Sequence, residues 1–203
     1  KLLEHENCDI LFYPSEQEVY PDKSKNETFD FGELDQIMEG KYRPGHFQGV
    51  ATVVKRLFEI VEPHNAYFGL KDYQQLLIIH KMTRDLGLPV EIIPCPIVRE
   101  ENGLAMSSRN ERLTPVERKQ AAMIYETLKM VKIRSGYATI SEVKNYVEQQ
   151  FQKNKYVTLE YFEIVDMYTL KPLRTWASSN NVIACIAAWV GKVRLIDNMI
   201  IFS

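Results

Sequence analysis

Between residues 50 and 61 the apolar side chains Val50, Val53, Val54, Leu57, Phe58 and Val61 recur at i, i+3, i+4, i+7, i+8 and i+11. That spacing puts them on one stripe of a helix, which must be buried, and Pro63 ends it. Ala66-Tyr67-Phe68 then reads as a short strand running into Gly69, followed by a second amphipathic helix through Leu86 with Gly87 at its end. Val90–Ile93 is the next strand. A helix between two short apolar strands is a crossover, and crossovers build parallel sheets. Cys8–Tyr13, stopped by Pro14, extends the pattern as a buried parallel strand. Thr28–Phe31 reads as a short edge strand and Gly32–Glu39 as a short helix closed by Gly40. The expectation is an α/β fold with a doubly wound parallel sheet.

Pro94 and Pro96 bracket Cys95 as a stiff connector, which divides the chain into 1–95 and 96–203. Beyond it the pattern changes. Glu101-Asn102-Gly103 is a hairpin-like turn, and Thr114-Pro115-Val116-Glu117 is a capping box with proline in the first turn, opening a helix to about Arg134. Thr139-Ile140-Ser141-Glu142 opens another. Leu159–Val165, Val182–Val190 and Val193–Asn198 are strands, the last two joined at Gly191-Lys192. The second unit is therefore a smaller α+β domain with an antiparallel sheet.

Charge excludes one class of partner. The 203 residues carry 25 Lys and Arg against 27 Asp and Glu, a formal net charge of −2, so no bulk basic field holds a nucleic-acid backbone. Phosphate chemistry, if present, needs a local cluster. Cys8, Cys95 and Cys185 are too far apart in sequence for a disulfide framework or a close metal-ligand pair, and the latter two lie in apolar runs as buried hydrophobes. His5, His46, His64 and His80 lack zinc-site spacing, and no apolar run is long enough to span a membrane. A reducing, cytoplasmic setting fits.

Three stretches carry chemistry-bearing side chains. Arg43-Pro44-Gly45-His46 precedes a helix, where free N–H groups and the dipole favour an anion; the alternative is a solvated loop with His46 as the cap. Phe68-Gly69-Leu70-Lys71-Asp72-Tyr73-Gln74-Gln75 lies at the carboxyl end of a parallel strand, where α/β folds bind ligands. There Gly69 admits close approach to the backbone, Lys71 offers a point charge to phosphate, Asp72 accepts hydroxyls, and Gln75 faces the same cleft one turn later. Met106-Ser107-Ser108-Arg109 joins two hydroxyls to a guanidinium in a polyphosphate clamp, or in a polar capping loop.

Taken in order, Arg43-Pro44-Gly45-His46-Phe47, Phe68-Gly69-x-Lys71-Asp72-Tyr73-Gln74-Gln75, Gly103–Asn110 and Arg194-Leu195-Ile196-Asp197-Asn198 strongly resemble the pantoate–β-alanine ligases of the nucleotidyltransferase superfamily. The resemblance runs from about Asp9 to Asp197. It implies a Rossmann-like nucleotide-binding domain with a lid, and a reaction in which ATP and (R)-pantoate give pantoyl adenylate and pyrophosphate. β-Alanine then attacks, giving pantothenate and AMP. By the same resemblance, Gly69, Leu70, Lys71 and Asp72 contact ATP, Val98 meets the adenine through its backbone, and Met106, Ser107, Ser108 and Arg109 close over the phosphates. Gln75 holds pantoate. Lys71, Arg109 and His46 carry the catalytic roles, with Arg43 as a supporting loop residue. Mg²⁺ rides on the phosphates without a protein ligand, and the enzyme is a homodimer.

The family's His-rich Thr-Met-Gly-x-Leu-His-x-Gly-His motif has no counterpart in this sequence, so the Rossmann-like sheet is expected to be incomplete at its N-terminus. The chain by itself is then expected to be inactive and poorly soluble. Leu70 stands where an acidic residue is common. Two other readings remain at this level: a different adenylate-forming member of the superfamily, and a truncated non-catalytic module.

Overall fold

A computed structural model describes residues 1–21 and 27–203. Two four-residue helices, α1 (Leu2–His5) and α2 (Glu16–Val19), lead into a 3₁₀ turn at Gly32–Asp35 and helix α3 (Met38–Tyr42). Helix α4 (His46–Val61), strand β1 (Asn65–Gly69), helix α5 (Tyr73–Asp85) and strand β2 (Glu91–Cys95) follow. β1 and β2 pair in parallel, Asn65 opposite Glu91 through Gly69 opposite Cys95, with α5 as the crossover. The core of this part joins Phe47, Ala51 and Phe58 of α4 to Leu76, Ile79 and Met82 of α5 and Ile92 of β2.

The second half contains helices α6 (Pro115–Ala121), α7 (Met123–Arg134) and α8 (Ile140–Gln152) and strands β3 (Val157–Asp166), β4 (Val182–Val190) and β5 (Val193–Phe202). The strands form an antiparallel sheet in the order β3-β4-β5. Both expected capping boxes are present: the Thr114 and Thr139 hydroxyls accept from the N–H groups of Glu117 and Glu142, whose carboxylates accept in return. The chain is α/β, with a parallel sheet and a C-terminal antiparallel sheet.

The central strand β4 explains how the two halves meet. Val182, Ala184, Ile186, Ala188 and Val190 enter a core with Leu128 and Val131 of α7 and Val143 and Val147 of α8. Ile183 and Cys185, on the opposite face, pack with Met38 and Tyr73 of the first half. A strand covered on both faces has no need of alternation, hence the unbroken apolar run Val182–Ala188. Register places Tyr161 beside Ala187, and Arg194, Ile196 and Asn198 beside Trp189, Ala187 and Cys185, so these side chains share the face turned toward α3 and α5.

Several expectations are corrected. Cys8–Tyr13 forms no strand; Ile10 and Tyr13 are 83% and 90% exposed, because no described neighbour supplies the ladder that makes an extended segment a strand. The parallel sheet accordingly has two strands among the described residues. Thr28–Phe31 is not a strand either. The Gln48 side chain substitutes for a ladder there, its Oε1 accepting from Phe29 N–H at 2.9 Å and its Nε2 donating to Phe29 O at 2.8 Å. The helix expected over Gly32–Glu39 breaks into two because Ile37 is extended (φ −121°, ψ 165°) and Met38 follows in a left-handed turn at φ +41°; Gly40, expected to close it, lies inside α3. Val53 and Val61 face solvent, since the buried stripe of α4 is centred on Phe47, Ala51 and Phe58. Pro94 lies inside β2 opposite Phe68, as a proline can on an edge strand. The helix after Thr114 is interrupted at Ala122, and Cys95 is half-buried where Cys185 is fully buried.

Candidate active site

The site is a cleft between the start of α5, the α3–α4 corner and the face of the antiparallel sheet. Arg43, His46, Lys71, Asp72 and Gln75 all line it, so the first two sequence motifs converge. The same wall includes Glu39, Tyr161, Asp197 and Asn198.

Lys71 is placed by a change of geometry: β1 ends at Gly69, Leu70–Asp72 makes one 3₁₀ turn, and α5 starts at Tyr73. The space where a Gly69 side chain would stand is open, leaving the backbone approachable. Lys71 is half-buried, and burial lowers its pKa below the ordinary lysine range; the Arg109 guanidinium adds to this, while Asp72 and Asp197 oppose it. A cation short of counter-charge is suited to receiving an anion. The two glutamines that follow divide their work. Gln74 is buried and clamps the preceding turn, its Nε2 donating to Leu34 O (2.6 Å) and Ile37 O (2.9 Å) and its Oε1 accepting from Glu39 N–H (3.0 Å). Gln75 makes no recorded side-chain hydrogen bond among the described residues and faces the cleft.

His46 is the first residue of α4, after Gly45 at φ +76°. Gly45 occupies the cap position and His46 does not cap the helix, so the solvated-cap alternative fails. The Arg43 Nη1 stands 2.8 Å from His46 Nε2. A guanidinium can only donate, so Nε2 accepts and the neutral ring carries its proton on Nδ1. Burial first, then Arg43, push the imidazole pKa below 6.5, while Glu39 and Asp72 pull the other way.

Behind this pair lies a buried ionic network that sequence reasoning missed. Arg194 forks onto Glu39 with Nη1 and Nη2 at 2.8 and 2.7 Å, and its Nε donates to Glu160 at 2.9 Å. Tyr161 donates to Glu39 at 2.9 Å, and Arg43 lies 3.7 Å from the same carboxylate. Burial is the largest influence and works against the Glu39 charge, but the hydrogen bonds and charge of Arg194, the Tyr161 hydrogen bond and the Arg43 charge together outweigh it, so the carboxyl sits below its usual range. The detectable signal was period two: Arg194 and Asn198, four residues apart, put polar groups on the same face of the strand.

The third motif forms a hairpin beside the cleft. Glu100 N–H to Leu104 O (2.9 Å) and Met106 N–H to Val98 O (2.9 Å) define it, and Ser107 Oγ accepts from Arg109 N–H at 3.2 Å to cap the 3₁₀ segment Ser108–Arg112. Met106, Ser108 and Arg109 are exposed, Ser107 is half-buried, and Val98 is exposed at the hairpin base. Arg109 does not line the cleft but reaches its border, donating to Arg194 O at 3.4 Å.

A sequence profile of the family described as Pantoate-beta-alanine ligase matches residues 1–200. The chain belongs to the pantoate–β-alanine ligase family. Pantothenate synthetase of Christiangramia forsetii is 50% identical over 200 residues, covering 98% of this chain and 71% of that protein. That of Cytophaga hutchinsonii is 46% identical over 203 residues, covering 99% and 71%. The crystal structure of pantothenate synthetase from Thermus thermophilus superposes with a TM-score of 0.94 at 42% identity, covering all of this chain and 73% of that one. The pantoate–β-alanine ligase of Francisella tularensis, solved with "Beta-gamma ATP and Beta-alanine", gives a TM-score of 0.75 at 35% identity, covering 98% and 67%. Membership makes this a ligase family joining pantoate to β-alanine. No helix among the described residues is long and apolar enough to cross a membrane.

Proposed function

We propose that the site uses ATP to activate (R)-pantoate as its adenylate, then passes the pantoyl group to β-alanine. The carrying observation is the convergence of Lys71, His46 and Gln75 on one cleft bordered by Arg109. The Francisella relative solved with a nucleotide and β-alanine supports it. In the first step a pantoate carboxylate oxygen bonds to the α-phosphorus while the bond to the bridging oxygen breaks, and pyrophosphate leaves. In the second, the neutral β-alanine amine attacks the acyl carbon, AMP leaves, and the amine proton passes to solvent. No covalent enzyme intermediate is needed.

The residues supply charge and position, which such a reaction between anions demands. Lys71, drawn partly out of water, meets phosphate oxygens. Arg109 and the Ser107 and Ser108 hydroxyls close from the hairpin, Met106 covers the nucleotide, and Val98 meets the base through its backbone. Gly69, Leu70 and Asp72 border the sugar and phosphates. Gln75 hydrogen-bonds pantoate, and the neutral His46, held by Arg43, donates from Nδ1. No group of three His, Cys, Asp or Glu able to hold a metal occurs among the described residues. Mg²⁺ carried on the nucleotide phosphates would neutralise charge there. We read Cys95–Pro96 as the boundary between a nucleotide-binding part and a lid part, and the working enzyme as a cytoplasmic homodimer.

The test is ATP–pyrophosphate exchange by the intact protein with pantoate and Mg²⁺ in the absence of β-alanine. Exchange dependent on pantoate is expected. Exchange that appears only when β-alanine is present would overturn the adenylate step.

A further inference from the structure

The motif Arg194–Asn198 contributes two adjacent residues that point to opposite sides of β5, and each holds one of the loops assigned to phosphate. Asn198 is 5% exposed, and its Nδ2 donates to two consecutive carbonyls, Leu70 O at 2.8 Å and Lys71 O at 3.0 Å. Its own N–H donates to Asp197 Oδ1 at 2.8 Å. Asp197, 4% exposed, receives a forked pair from Arg99, Nη1 at 2.6 Å and Nη2 at 3.0 Å. The same Arg99 donates to Gly103 O at 3.0 Å and lies 3.9 Å from the centre of the Tyr125 ring. Arg99 and Gly103 belong to the hairpin that ends in Met106–Arg109.

We propose that Asp197-Asn198 is a positioning device: through Asn198 it fixes the Lys71 turn, through Asp197 and Arg99 it fixes the base of the Met106–Arg109 loop, and so it sets the spacing between Lys71 and Arg109. This rests on the adenylation reading above. Neither residue of the pair need touch the reacting atoms. A carboxamide donating to two successive carbonyls leaves the 3₁₀ turn little freedom, because shifting either peptide orphans a buried donor. On the other side, a forked Arg–carboxylate pair fixes angle as well as distance, which lysine cannot reproduce. Since the two anchors are one peptide apart on a strand held by its ladder to β4, the two loops move together or not at all.

Double-mutant cycles on the intact protein test this, with pantoate-dependent pyrophosphate exchange as the readout. Asn198→Leu keeps the branched outline and removes both donors; it is expected to lower the exchange kcat by roughly tenfold or more while the pantoate KM moves less than about threefold. A positioning residue acts only through what it positions, so adding Asn198→Leu to Lys71→Ala should lower kcat by less than about twofold further. Arg99→Lys should be similarly silent when added to Arg109→Ala. Should Asn198→Leu not fold, as judged by melting temperature, Asn198→Ser, which keeps one donor, takes its place in the same cycle. Effects that multiply in either cycle would overturn the proposal, as would an Asn198 variant with unchanged kcat. If Lys71→Ala and Arg109→Ala by themselves leave exchange at the parental rate, the adenylation reading fails and this one with it, an outcome distinct from multiplying losses.

Discussion

Within the cleft, neighbouring side chains of the same type have unlike duties, and mutation should separate them. Lys71→Ala and Arg109→Ala are each expected to lower the adenylation kcat by an amount equivalent to about 2–4 kcal/mol, since both would meet charge that peaks in the transition state. Rapid-quench measurement of pyrophosphate release checks this, and parental rates in both variants would refute the phosphate role. Gln75→Ala should instead raise the pantoate KM, by the equivalent of about 1–3 kcal/mol for a lost polar contact, with the ATP KM unmoved. Gln74→Ala should behave as a folding mutant, losing melting temperature, because its amide is spent on Leu34, Ile37 and Glu39. Residue type and spacing made Lys71, His46 and Gln75 legible in the sequence. Spacing singled out Gln75 for the cleft but could not say what Gln74 holds, because the partners of an inward amide depend on where α5 meets the turn before it. Glu39 was invisible for a related reason: its partner Arg194 lies 155 residues away.

At the scale of elements, legibility followed how local the cause was. Helices α4, α5 and α8 were readable because period, caps and terminators all lie within the segment. Cys8–Tyr13 and Thr28–Phe31 misled because a strand exists only with a partner, and a run of apolar residues does not name one. The hairpin turn at Gly103 was readable and is stringently specified. Its φ is +88°, and a Cβ there would stand 2.3 Å from Tyr125 Cδ1. Gly103→Ala therefore combines backbone strain with a clash against the ring on which Arg99 stacks, and should cost about 1–3 kcal/mol of stability. Chemical denaturation checks the amount. Substitution at Gly69, where an added Cβ would meet no other residue's atom within 4 Å beyond its chain neighbours and φ is −68°, should leave the melting midpoint nearly unchanged.

For the whole molecule, two groups between the halves tie stability to pH in the same direction. The His46 ring has a pKa lowered from 6.5, so the unfolded chain binds its proton first and the stability His46 confers is lost as pH falls below that value. Glu39 is likewise lowered from 4.5, and its contribution, present above that value, is lost as pH falls through the folded one. The melting temperature should therefore drop in two acid steps, with His46→Gln flattening the upper step and Glu39→Gln the lower, while Glu39→Gln also destabilises at neutral pH by stranding Arg194. A last consequence comes from β4, whose alternate side chains serve two different cores. A wall common to two rooms cannot be taken down for one of them alone. Freeing the Ile183 side requires breaking the ladder that also carries Ile186, so neither core has a private route to opening. Amide protons along β4 should then exchange with solvent at a single slow rate, equal to that of whole-chain unfolding.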